Sequence, residues 1–187
     1  MKIMHMVDLS PRICLILMLP SGVTLMAASS LGRDVFYGWP LVAVWVASIT
    51  WLAIMLVDFF HSADKHAQLV HRLDWLARIG LVVGLLAAVA YTSIVTEPFG
   101  VTTNPTWLAG KVAAYALCIF GGIMIRVCLR PVGPAFHQIT HIGPSAEAND
   151  IVASAVRRSV PFVILIWSMI VVATVLGLVK PGTAASP

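Results

Sequence analysis

The fold class that the sequence predicts is an all-α transmembrane bundle of about five helices, and three observations carry the prediction. Hydrophobic residues make up 59% of the 187 and charged residues 11%, with a mean hydropathy of +0.93; water is not the main solvent of such a chain. Five apolar runs approach the roughly 20 residues that a helix needs to cross a hydrocarbon core in which no backbone polar group can be left unpaired. Basic residues gather in alternate connections between those runs, as a fixed orientation in a bilayer requires. The resulting organisation is a single transmembrane domain over 1–180 with a disordered tail at 181–187.

The runs lie near 13–31, 40–60, 75–95, 107–129 and 160–179, each closed by charge, proline or glycine. The first also fits a secretory signal peptide, with its cationic start and small residues at 27–30. Asp8 and Arg12 directly before the apolar stretch, and a kink at Pro20-Ser21-Gly22, favour a retained, packed span. Cleavage would leave four helices of unchanged orientation.

Connection 32–38 carries only Arg33, and 96–106 carries no basic residue. By contrast, 61–74 holds Lys65 and Arg72 with Arg78 just beyond, and 130–159 holds Arg130, Arg157 and Arg158 beside Arg126. With Lys2 and Arg12 on the same side, the positive-inside rule predicts a cytoplasmic N-terminus, a periplasmic C-terminus and a bacterial inner-membrane location. Trp39, Trp75 and Trp107 at span ends read as interfacial anchors, and Trp45, Trp51 and Trp167 as packing residues. Gly80, Gly84 and Ala88 recur every fourth residue, a stripe that lets a neighbouring backbone approach and should face protein.

A net charge of +4 without a dense basic stripe argues against nucleic acid as a partner and leaves the lipid bilayer, a second copy or a membrane partner protein. Cys14, Cys118 and Cys128 form no C-x-x-C pair and read as small buried apolar residues. No nucleophile elbow, P-loop, dinucleotide fingerprint or H-E-x-x-H is present, so the sequence leans away from an enzyme.

Two polar sets remain. All six histidines, His5, His61, His66, His71, His137 and His141, fall on the expected cytoplasmic side. The headgroup region tolerates imidazole, which accounts for any one of them. His137 and His141, four apart in a stretch that predicts a short helix ending at Gly143-Pro144, have the spacing of a metal pair. Met4-His5-Met6 offers donors suited to Cu(I). His61, His66 and His71 are spaced five apart, about 140° out of phase on a helix, and converge only if their loop folds. The second set is Asp8, Arg12, Asp58, Asp74, Arg78 and Arg126, all at similar depth. Asp8/Arg12 and Asp74/Arg78 are spaced i,i+4 for pairing within a helix. Such a layer either ties helix ends together or marks an ion or solute path. Asp58 is also placed to orient His61. On the opposite side, Lys111 lies one turn from Trp107 and from Tyr115 and reads as snorkelling to the outer interface.

The segment Asp8-Leu9-Ser10-Pro11-Arg12-Ile13-Cys14-Leu15-Ile16-Leu17-Met18-Leu19-Pro20-Ser21-Gly22 resembles a run in uncharacterised bacterial integral membrane proteins distantly related to the copper-resistance protein D group. The spacing of Trp107, Lys111 and Tyr115 is similar to a pattern in the same group. The resemblance implies an inner-membrane helical bundle and, as in some relatives, copper handling or haem binding. Such relatives begin with a further helix bearing a histidine, and this chain opens at what resembles their second, so the resemblance implies either a late start or an incomplete ligand set. Three functions are therefore expected to compete. One is a metal or haem module drawing on His5, His61, His71, His137 and His141; the others are an ion or small-solute transporter using the charged layer, and a non-catalytic anchoring subunit.

Overall fold

The computed structural model describes residues 2–28, 33–60, 67–95, 106–141, 143 and 145–179. Among them the chain forms seven helices: α1 (Lys2–Ala28), α2 (Arg33–Phe36), α3 (Trp39–Phe60), α4 (Ala67–Ile94), α5 (Thr106–Leu129), α6 (Val132–His141) and α7 (Ala146–Val179), with no strand among the described residues. Five stretches are long and apolar enough to cross a membrane: Leu9–Ala28, Trp39–Phe60, His71–Ile94, Thr106–Ile139 and Ala146–Val179. The all-α transmembrane class is therefore the fold observed. The tail 181–187 lies outside the described residues.

Local chemistry explains the helix shapes. Pro11 and Pro20 lie inside α1, where each lacks the N–H that would close a helical hydrogen bond. Around Pro20 the side chains take up backbone carbonyls, as hydroxyls do in lipid. Ser21 Oγ donates to Leu17 O at 2.8 Å and Thr24 Oγ1 to Pro20 O at 2.7 Å. Thr24 Oγ1 in turn accepts a 3.0 Å hydrogen bond from Trp45 Nε1, which ties α1 to α3. Pro131 follows the last turn of α5 and cannot extend it, so the chain turns at Arg130–Pro131 before α6 begins. α6 is the short helix expected for the segment of His137 and His141, and Gly143, with φ of +109°, supplies the left-handed residue after its end.

α7 starts well before the apolar run at 160–179. Ser145 caps it: its Oγ accepts from Ala148 N at 3.1 Å, and its carbonyl from Asn149 N at 3.1 Å. Glu147 in the first turn complements the helix dipole. At 1.5 Å per residue the 34-residue helix is about 51 Å long, more than the roughly 30 Å hydrocarbon core, so its polar first turns extend beyond it. Glu147, Asp150, Arg157 and Arg158 hide this extension from a hydropathy reading.

The residues group into two compact units, one within Met1–Gly80 and one comprising Leu81–Thr96 with Asn104–Pro187. In the first, α1, α2 and α3 pack together with Ile16, Pro20, Ser48 and Met55 fully buried. In the second, α5 lies antiparallel against α7 and α6 packs on α7, with Ala135, Ala148 and Ala155 buried.

A close helix approach in the second unit, one that reaches the facing backbone, occurs at Gly121. A Cβ there would lie 2.9 Å from Ile166 Cγ1 and 3.4 Å from the Phe162 carbonyl, so Ile166 would have to shift to admit one and little room is left for more. Cys118 Sγ, 3.9 Å from Ile166 O, and Cys128 Sγ, 3.8 Å from Arg158 O, follow the same antiparallel register. The expected stripe of Gly80, Gly84 and Ala88 behaves differently. A Cβ on Gly80 or Gly84 meets nothing within 4 Å, and Ala88 is only half-buried. Small residues permit close approach but do not choose the partner, and here the approach is made by α5.

Candidate functional site

The buried polar residues of the first unit come from two facing helices. On α3, Ser48, Trp51 and Met55 recur at i, i+3 and i+7 and form its buried stripe. On α4, Asp74 and Arg78 are one turn apart, and both are buried: Asp74 is 0% exposed and Arg78 5%. Arg78 Nε donates to Asp74 Oδ2 at 3.0 Å. Trp51 Nε1 donates to the other carboxylate oxygen, Oδ1, at 3.2 Å. The Arg78 guanidinium lies over the Trp51 ring, its Cζ 5.5 Å from the centroid, a cation–π contact strengthened by desolvation.

The three side chains thus form one unit of charge, counter-charge and aromatic lid. An isolated carboxylate or guanidinium would be expensive in this environment, and mutual pairing with hydrogen bonds is what makes the burial tolerable. The pairing is incomplete, however. Arg78 Nη2 and Ser48 Oγ are buried and have no hydrogen-bond partner among the described residues, an exception to the rule that buried polar atoms are satisfied.

Trp51 donates to one of the two carboxylate oxygens of Asp74, so Trp51→Phe is expected to cost about 1.5–3 kcal/mol, the range for a hydrogen bond to a charged group. The same change at Trp167, 67% exposed on α7, should be close to neutral. Unfolding midpoints of the two variants in one detergent compare them directly.

One turn toward the helix end, Asp58 Oδ2 lies 3.6 Å from His71 Nδ1, with the carboxylate 15% and the imidazole 51% exposed. Asp58 is thus beside His71; His61, which it is also placed to orient, lies with His66 outside the described residues. The His71 ring also meets Trp75 edge-on at 6.3 Å.

The rest of the expected sites are placed as follows. His137 on α6 is exposed; α6 ends at His141, whose side chain, like those of His5 and Asp8, lies outside what is described. Among the described residues no group of three His, Cys, Asp or Glu side chains is positioned to hold a metal ion. Arg12 is half-buried on α1, and Arg126, half-buried in the last turn of α5, belongs to the second unit. Of the charged layer, the described structure brings together Asp74 with Arg78, and Asp58 with His71.

Lys111 does more than reach for an interface. Its Nζ sits 5.3 Å from the Trp107 ring centroid and 2.6 Å from where a Cβ on Gly177 would stand. The ammonium is therefore tucked between an indole and the bare α7 backbone.

Sequence reasoning missed Ser48 and treated Trp51 as packing. The signal was present: a serine and an indole N–H on one face of an apolar span need an acceptor, and Asp74 opens the following span.

Five apolar spans make the chain a multi-pass membrane protein, and the buried ion pair is its most distinctive chemical feature. No protein-family model, curated protein or solved structure matches the chain.

Proposed function

We propose that the protein is a bacterial inner-membrane protein that conducts or transports a small ion or solute, with the Trp51–Asp74–Arg78 cluster as its working site. One observation carries this reading: a fully buried carboxylate and a buried arginine in a membrane-crossing helix, with Arg78 Nη2 left without a hydrogen-bond partner among the described residues. Ionisable groups inside membrane segments mark ion and solute paths, and a closed structural clamp would have no use for an unsatisfied guanidinium nitrogen. The concentration of basic residues in alternate connections supports a cytoplasmic N-terminus and a periplasmic C-terminus. The cluster then lies toward the cytoplasmic end, Arg78 being seven residues, or about 10 Å, inside the span that starts at His71.

The test is flux. Purified protein in vesicles loaded with a pH-sensitive or a chloride-sensitive dye, under a potential set by potassium and valinomycin, is expected to move protons or chloride faster than empty vesicles. Rates equal to those of empty vesicles with both dyes would remove the reading.

Copper or haem handling is a second reading, favoured by the carboxylate of Asp58 beside His71 Nδ1. A carboxylate on one ring nitrogen orients the other toward a metal. This reading expects near-stoichiometric copper or iron in tag-free protein, lost when His61, His71, His137 and His141 are replaced together. Metal-free wild-type protein would dismiss it.

A further inference from the structure

Where α5 begins, the second unit holds a positive charge without a counter-charge. Lys111 lies five residues, about 7.5 Å, inside the span that starts at Thr106. Helix side chains lean toward the N-terminus, so the Lys111 stem reaches back one turn over Trp107, and its Nζ stands 5.3 Å from the ring centroid. On another side is α7, where a Cβ on Gly177 would meet Lys111 Nζ at 2.6 Å and Cε at 3.0 Å. A lysine that only snorkels carries its ammonium out into water; this residue is half-buried between an indole and a bare backbone. Among the described residues it makes no ion pair and no hydrogen bond.

Trp107 is in the same condition. It is 8% exposed, and its Nε1 is buried with no hydrogen-bond partner among the described residues. An indole N–H and an ammonium can only donate. The 5.3 Å contact therefore gathers two donor side chains and one full positive charge, and neither donor has found an acceptor. α7 ends at Val179, two residues beyond Gly177. The negative end of its dipole amounts to about half a charge, which steadies the ammonium and leaves the place positive.

We infer that Lys111 and Trp107 form a binding site for a phosphate group, gripped by the ammonium and by the indole N–H. The depth points to phosphate: a site this close to the span end, with a tryptophan, lies near the headgroup level, where every phospholipid carries one. The oxygens of a phosphate accept from both donors at once, and the flexible lysine stem lets the ammonium shift as the anion enters. Free phosphate has the same chemistry. The site belongs to the second unit and is independent of the transport reading.

The experiment uses the full chain in dodecyl maltoside micelles at constant ionic strength, with dioleoylphosphatidylglycerol, dioleoylglycerol or sodium phosphate added stepwise. A ligand that binds only the folded state raises the melting temperature saturably. The wild type is expected to show such a rise with phosphatidylglycerol and none with dioleoylglycerol, which has the same chains and no phosphate. Lys111→Met keeps the stem, drops the charge and should melt like wild type without lipid; it is expected to weaken the apparent affinity at least tenfold, the loss of a charged hydrogen bond. Trp107→Phe keeps an aromatic ring, removes the N–H and is expected to weaken it about tenfold. A Lys111-dependent rise with the lipid alone assigns the site to a headgroup, and one that sodium phosphate produces equally well assigns it to the free anion. No rise with either overturns the site. A rise that Lys111→Met leaves unchanged also overturns it and moves the phosphate elsewhere, as to the exposed Arg157 and Arg158. One that Trp107→Phe leaves unchanged removes the indole and with it the two-donor site.

Discussion

Asp74→Leu is expected to destabilise the protein by about 3–5 kcal/mol, Arg78→Met by a similar amount, and the double variant by much less than either. The reason is an asymmetry in buried ion pairs. Removing one partner strands a charge in a buried site, whereas replacing both with apolar groups of similar size also removes the cost of desolvating them. Asp74 is 0% exposed and holds Arg78 Nε at 3.0 Å, so neither charge has a route to solvent. Trp51 would lose its acceptor in the double variant, leaving a residual penalty of about 1–3 kcal/mol. Reversible unfolding of the four proteins in mixed micelles measures the coupling directly. Additive single effects would mean that the two side chains do not depend on each other, contrary to the geometry.

Gly121→Leu is expected to have the next largest effect, about 3 kcal/mol or more, with Gly84→Leu as a near-neutral control. The α5/α7 pair is the main contact of the second unit, and helix association in lipid relies on close packing because lipid tails remove the hydrophobic drive. At Gly121 even a Cβ would stand 2.9 Å from Ile166 Cγ1, with the Phe162 carbonyl at 3.4 Å. The side chain of Ile166 can turn; the carbonyl belongs to the α7 backbone, so larger side chains must push the helices apart. At Gly84 nothing lies within 4 Å. Unfolding midpoints, together with cross-linking of introduced cysteine pairs between α5 and α7, separate a local strain from a parted interface.

The difference between these two glycines shows what the sequence could and could not reveal. Hydropathy located the five spans because burial of the backbone in lipid demands length and apolarity, and both are local properties. It placed the last span at 160–179 but missed the first fourteen residues of α7, since charges outside the hydrocarbon core do not prevent a capped helix from continuing. The i,i+4 spacing of Asp74 and Arg78 made their pairing legible, because both residues lie on one helix. Trp51 and Ser48 come from another helix, and their part in the cluster depends on the register between α3 and α4. The same limit applies to the glycines: Gly80 and Gly84 carry the denser small-residue pattern, yet the close approach falls at Gly121 because α7, not the pattern, decides where contact is made. Likewise, the Asp58–His71 contact joins two helices, which spacing along the chain does not reveal.

The most direct test of the cluster as working site is the ion flux of wild type against the Asp74→Leu/Arg78→Met double variant, reconstituted at equal density and shown to be folded by the unfolding measurement above. Flux in the wild type that falls to the level of empty vesicles in the folded double variant is the predicted result. Equal flux in the two proteins would contradict it and leave the ion pair as a structural clamp.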